Sequence, residues 1–381
     1  MEKLDFNLDE YLKELAQLVN IDSGSDDPEG TAQIAAYFAE KFSKMGWSVK
    51  KVKVSEAVGP CLEITNRTAA QFNMLLIGHM DTVFSKGTAK ERPFSITGNR
   101  ACGPGVVDMK ASLLSVYYAM KHLEAQGKLQ SAAVCIAFNS DEEKSSAYSR
   151  PWLEGLAAKS KYALVVEPAR ADGSMVHTRR GVGRYTIEFK GVASHSGVAP
   201  EKGISAINEL AHWISGLHAV TNYELGTNVN VGVVKGGTTA NTVAENAVAL
   251  VDLRMKEMSE VTRIENTIKY LLDNPKTPGI KVNVKGGVTR PPMNPSPAAL
   301  ELCGKVDKIA ERLGIDFKWI ATGGGSDANI TAAMGVPSID GLGPIGGLSH
   351  TVEEYLELDS VEPRLQLLCE LLAELAKEAA H

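Results

Sequence analysis

Short apolar runs alternate with helical patterns through the first half of this chain, and several of the runs end at an acid or an imidazole. Residues 47–54, 73–77, 132–139 and 162–166 are brief, apolar and bounded by polar or glycine-containing turns, as buried strands are. Residues 8–20 place Leu8, Tyr11, Leu12, Leu15, Leu18 and Val19 at helical spacing behind Asn7 as a cap. Residues 31–45 and 109–126 follow the same period. Strands alternating with helices predict an α/β sheet covered on both faces. Open sheets of this kind place their sites at the carboxyl ends of strands.

The pattern changes near Arg179. Residues 182–190 alternate as a half-buried strand, followed by a helix over 204–217, strands over 228–234 and 247–256, a helix over 261–272 and a strand over 280–284. That order, βαββαβ, predicts a small ferredoxin-like α+β unit. After Arg290-Pro291-Pro292 the longer period returns, with helices over 297–313, 327–334 and 361–377 and strands over 317–320 and 336–340. The expected organisation is a discontinuous domain of residues 1–178 and 290–381 interrupted by an inserted domain of residues 179–289. His350 lies beyond the insertion, so it must return to the first half to take part in any site there.

At 381 residues the chain can bury a large core. A net charge of -6 argues against nucleic acid as a main partner. No stretch is long and apolar enough for a membrane span, and the amphipathic N-terminal pattern is not that of a signal peptide. Cys61, Cys102, Cys135, Cys303 and Cys369 are scattered and never form a CxxC pair. They suit a reducing cytoplasm and offer no thiolate metal site.

The remaining chemistry is carried by acids and histidines. His79 and Asp81 stand in GHMDT, where the aspartate can accept from the ring nitrogen that faces away from a metal. Asp108 stands in GPGVVDMK before a helix, as an N-cap or as a carboxylate giving one oxygen to each of two ions. This loop lacks the third glycine of a dinucleotide fingerprint and the G-K-[ST] of a P-loop. Adjacent Glu142 and Glu143 in NSDEEK point differently, so one can bind metal while the other takes a proton. Glu167 ends the apolar run YALVV, where a buried acid must be paired or coordinated. His350 follows the glycine-rich GLGPIGGL. Together these residues supply two divalent sites sharing one carboxylate, plus a free base.

GHMDTVF, GPGVVDMKAS, NSDEEKSS, VVEP, GVASHSG, TTANTVAENAVALVDLR, TGGGSDAN and GLSHTVEEY together resemble the M20 family of dinuclear zinc peptidases and deacylases, within it the glutamate carboxypeptidase (carboxypeptidase G-type) branch. The resemblance implies a zinc-peptidase-like catalytic domain, with a mixed sheet flanked by helices, and an inserted lid and dimerisation domain. It implies two Zn2+ per subunit, with Co2+ or Mn2+ as substitutes. Asp108 would bridge them, His79 and Glu167 would complete one site, and Glu143 and His350 the other. Asp81 would orient His79, Glu142 would be the general base and His195 would stabilise the oxyanion. Asn241, Arg254 and Arg290 match positions resembling those that recognise a carboxylate, a task suited to the guanidinium fork. A strand-end salt bridge for Arg254 and a hinge role for Arg290 are the alternatives. The glycines at 323–325 can offer amides to an anion or simply make a tight turn. The implied reaction is hydrolysis that releases a C-terminal amino acid, glutamate first, from N-acyl amino acids, peptides or folate-like conjugates. A deacylase of the acetylornithine or aminoacylase kind, a di- or tripeptidase and a non-catalytic metal-binding dimer are the alternatives.

Overall fold

The structure is a computed structural model that describes residues 4–379. The chain divides into two units. One runs up to Thr178 and takes up Met293–Ala321 and the chain from Ser326 onward; the other comprises Arg179–Pro292 and Thr322–Gly325.

The larger unit is built on a six-stranded sheet in the order Ser48–Val52, Cys61–Thr65, Val134–Asn139, Phe72–His79, Ser160–Val165 and Ser338–Ile339. The first two pairings are antiparallel and the other three parallel, so the sheet is mixed. Side chains alternate between two cores, as a strand period of two demands. Val134, Ile136 and Phe138 face a core formed with the helices Leu8–Val19, Pro28–Lys44, Ala111–Ala125, Pro297–Leu313 and Val361–Glu378. Ala133, Cys135 and Ala137 face a smaller core with Leu153 and Ala157 of Arg150–Ala157 and Ile330 of Ala328–Ala333. Burial on both faces explains why these runs read as continuously apolar.

The helices begin where local chemistry allows. Asn7 accepts from the Glu10 amide, as expected for the first helix. The second starts at Pro28, ahead of the expected residue 31, because Asp27 caps it through the Gly30 amide and Pro28 occupies the first turn, where its missing N–H is harmless. These two helices are joined by Glu14, which accepts from Lys41 Nζ at 2.7 Å and from the Tyr37 hydroxyl. Burial alone would raise the Glu14 carboxyl, but these donors outweigh it and hold the group below its ordinary 4.5. A depressed folded value means that this stability is fully present above the unfolded value and is lost as pH falls through the folded one. Glu14→Gln should therefore be less stable than the wild type by about 1–2 kcal/mol near neutral pH, with the gap closing in acid. Chemical denaturation at several pH values checks this; a gap that does not move with pH removes the ionic contribution.

In the smaller unit a four-stranded antiparallel sheet runs in the order Asn228–Gly236, Asn246–Met255, Gly181–Lys190, Lys281–Arg290. The helices Ala206–His218 and Ser259–Asp273 pack on it through Trp213, Leu217, Ile264 and Ile268 against Ile187, Phe189 and Leu253. The element order is the expected βαββαβ. Its last strand is twice the predicted length. Two glycines interrupt its sequence pattern, but pairing with Gly181–Lys190 carries the strand through them. Gly286 sits at φ 111°, where a Cβ would lie 2.1 Å from the Arg184 carbonyl oxygen, so only glycine fits.

Candidate metal centre

Parallel strands bring the first candidates to one edge of the large sheet. His79 ends Phe72–His79, Val134–Asn139 runs on to the Glu142–Lys144 turn, and Ser160–Val165 runs on to Glu167. His79 lies opposite Asn139 and Ile77 opposite Val165, so Glu167, two residues beyond Val165, emerges at the edge where His79 ends its strand. Asp108 and His350 arrive by another route, which the sequence reading did not contain. Arg100–Cys102 and Tyr355–Glu357 pair antiparallel with Cys102 opposite Tyr355. The loop leading forward to Asp108 and the loop coming from His350 therefore share one end of that ladder.

The resulting geometry centres on Asp108. Its Oδ1 is 3.1 Å from His79 Nε2 and its Oδ2 is 3.3 Å from His350 Nε2. His79 Nε2 is also 3.7 Å from Glu167 Oε1, and His350 Nε2 is 3.3 Å from Glu143 Oε2. Ligand atoms of His79, Asp108 and Glu143 lie within 4.8 Å of one another, and so do those of His79, Glu142 and Glu167. Glu142 thus reaches the same space as the ligand candidates.

Electrostatics favour a cation here. Burial, then the Asp108 charge, pushes the Glu167 carboxyl well above its ordinary value. Burial likewise raises Glu143, although His350 opposes it. Burial would raise Asp108 too, but hydrogen bonds to His350 and His79 hold it low. Crowded carboxylates facing two imidazole nitrogens, with no thiolate, form a hard N/O donor set that fits divalent ions such as zinc, cobalt or manganese.

Surrounding groups hold this set in place. His79 Nδ1 lies 2.9 Å from the Asp81 backbone oxygen and 3.5 Å from the Asp81 carboxylate. The expected side-chain contact is thus the longer of the two. The carboxylate instead accepts from the amides of Glu142 and Glu143, each at 3.1 Å, and from Ser25 Oγ at 2.6 Å. Asp81 therefore holds the acidic turn through its carboxylate and meets the imidazole through its backbone oxygen. His350 has φ 66° and Leu348 φ 55°, left-handed values that cost a non-glycine residue about 1 kcal/mol or more. Strain of this kind next to a candidate ligand fits a loop shaped for its side chain.

The sequence reading missed three members of the surroundings. Ser25 sits in IDSGSD and carried no signal beyond turn chemistry. Lys110 is buried, donates to the Ile21 and Pro104 carbonyl oxygens, and is held down to about 7 by burial, with the Glu354 charge opposing. Glu354 is fully buried and accepts from three backbone amides around Asp108. Its carboxyl is pushed up to about 7 by burial and by the Asp108 charge, against the pull of those amides. An acid next to a strand-like YLE was the available signal for Glu354.

The other candidates lie in the smaller unit. His195 is exposed and its Nδ1 accepts from the Gly197 amide at 3.1 Å. The neutral ring then carries its proton on Nε2. Asn241 is exposed in the turn whose backbone pairs with Ser196. Arg254 forks onto Asp252 at 2.8 and 3.1 Å and donates to the Gly323 carbonyl oxygen at 3.1 Å. The strand-level salt bridge is thus present. Arg290 is buried.

Residues 75–374 match Peptidase family M20/M25/M40. The chain is 28% identical over 371 residues to carboxypeptidase G2 of Pseudomonas sp. (strain RS-16), covering 96% of this chain and 89% of that one. It is 28% identical over 293 residues to a succinyl-diaminopimelate desuccinylase of Pseudomonas fluorescens (strain Pf0-1), covering 71% and 74%. In fold it is similar to a tripeptidase from Staphylococcus aureus, with a TM-score of 0.78 at 22% identity over 97% of this chain and 99% of that one. With the match spanning most of its length and the donor set gathered at one sheet edge, this chain belongs to the M20/M25/M40 peptidase family and is a hydrolytic enzyme.

Proposed function

We propose that the protein is a dinuclear metallohydrolase that releases a C-terminal amino acid, glutamate first, from N-acyl amino acids or short peptides, folate-like conjugates included. The observation that carries the dinuclear reading is Asp108, whose two carboxylate oxygens face two different imidazoles. His79 and Glu167 would hold one ion, Glu143 and His350 the other, and Asp108 both. Bound divalent ions, zinc by preference, would polarise the scissile carbonyl and acidify the attacking water.

The protein's own groups manage the protons and the charge. Glu142 takes the proton from the attacking water and passes it to the leaving amine nitrogen. Asp81 holds the Glu142 and Glu143 amides and thereby aims both side chains. His195, carrying its proton on Nε2, donates to the developing oxyanion. Arg254, Arg290 and Asn241 bind the free carboxylate of the leaving amino acid. Support for glutamate comes from the resemblance carried by those three positions and from the near full-length similarity to a carboxypeptidase.

The desuccinylase relative supports a second reading, deacylation of an N-acyl amino acid, with the same metal centre and a different anion pocket. We further propose a cytoplasmic homodimer joined through the smaller unit. Its edge strand Asn228–Gly236 exposes Val233 and Val234, which suits pairing with a twin strand. All five cysteines are free, and no described helix is long and apolar enough to cross a membrane.

The test is amino-acid release from a panel of N-acyl amino acids, dipeptides and a folate by the zinc-loaded protein. Preferential release of glutamate, with KM for that substrate rising about 10–100-fold in Arg254→Ala, is the expected result. Preference for another leaving group transfers the reading to the deacylase class. No release by protein holding two metals removes the proposed reaction.

A further inference from the structure

Glu354 has no part in the chemistry above, yet it is a fully buried carboxylate placed at the centre. It accepts from the amides of Gly105 at 3.0 Å, Val107 at 2.9 Å and Asp108 at 3.0 Å. A carboxylate cradled by three backbone donors of one short loop fixes the path of those donors, because each charge-assisted bond constrains one peptide plane. Those peptides lead directly into Asp108. The same short turn also carries His350: Thr351 donates from its amide and its hydroxyl to the Leu348 carbonyl oxygen, and the Glu354 amide donates to the Thr351 carbonyl oxygen. One turn thus grips the 105–108 loop at two points. Glu354 holds its backbone, while His350 Nε2 meets Asp108 Oδ2 at 3.3 Å. On the far side, Lys110 Nζ ties the same loop through the Pro104 carbonyl oxygen at 3.2 Å.

We propose that Glu354 is a positioning residue that sets the Asp108 loop and the His350 turn in register before any metal binds, so that the two cation positions are built as a unit. The proposal rests on reading Asp108 and His350 as ligands. It assigns Glu354 no contact with metal or substrate. Glutamine has nearly the same shape but carries an N–H2 group, which opposes the Gly105 N–H in one orientation and the Val107 and Asp108 N–H groups in the other.

The experiment measures Co2+ binding by the visible d–d absorption of the full-length protein, wild type against Glu354→Gln, with the melting temperature of each metal-free form recorded alongside. The expected result is a Kd for Co2+ weaker by about 10–100-fold and an altered absorption band in the variant. A variant that melts earlier but binds Co2+ with unchanged affinity and spectrum overturns the proposal, since Glu354 is then merely structural. Should the variant fail to fold, amide exchange on the metal-free wild type decides. Protection of Gly105, Val107 and Asp108 by about 100-fold or more supports a preset loop, and exchange at open-loop rates overturns it. Asp108→Asn is run in parallel. Wild-type Co2+ affinity in that variant shows that the ligand reading itself has failed, whereas loss of Co2+ there with none in Glu354→Gln rejects only the role of Glu354.

Discussion

Glu142→Gln is expected to lower kcat by about 10²–10⁴-fold with KM little changed, because glutamine keeps the shape of the side chain and cannot take a proton. The substitution leaves the scaffold intact. The Glu142 backbone amide still donates to Asp81 Oδ1 at 3.1 Å, and the neighbouring Glu143 amide to Oδ2. Metal content measured on the same sample separates two roles. Glu142 places a carboxylate oxygen within 4.8 Å of the ligand atoms of His79 and Glu167, so it stands close enough to coordinate. Full metal content with turnover lost assigns it as the base. Metal lost together with turnover assigns it as a ligand, and unchanged turnover removes it from the reaction.

The second large effect is expected at Asp108. Asp108→Asn should lose both ions, whereas His350→Ala should lose one, because Asp108 presents one carboxylate oxygen to each imidazole. Metal analysis after dialysis counts them. Stability gives a second readout. A ligand that binds only the folded protein stabilises it by about 2.7 kcal/mol at a hundred times its Kd. The wild type should therefore melt at higher temperature with metal than after chelation, and Asp108→Asn should lose that increment. Equal metal stoichiometry in Asp108→Asn and His350→Ala contradicts the bridging role.

Much of the fold was legible because its signals are short-ranged. The helix Pro297–Leu313 has the predicted bounds, set by the Ser296 cap, a proline in the first turn and Gly314 in a left-handed conformation at its end. The strand Val134–Asn139 was visible because both of its faces are buried. The interruption near Arg179 was visible because the period of the pattern changed there. The strands Arg100–Cys102 and Tyr355–Glu357 were not legible. Each is three residues long and takes its conformation from the other, so neither carries a pattern of its own.

The site divides along the same line. Which residues could bear donor atoms was legible in the sequence, since the candidates His79, Asp108, the Glu142-Glu143 pair, Glu167 and His350 each stand at a strand end or by a glycine-rich turn. Those are local properties of a few adjacent residues, fixed by side-chain chemistry and backbone freedom. How the donors are held was decided by the tertiary structure alone. The Asp81 carboxylate reaches amides 61 and 62 residues away, and Glu354 grips amides 246 to 249 residues before it. Such contacts exist only once the sheets have closed. A buried carboxylate takes whichever donors packing leaves beside it, and no periodicity in the chain announces which those will be.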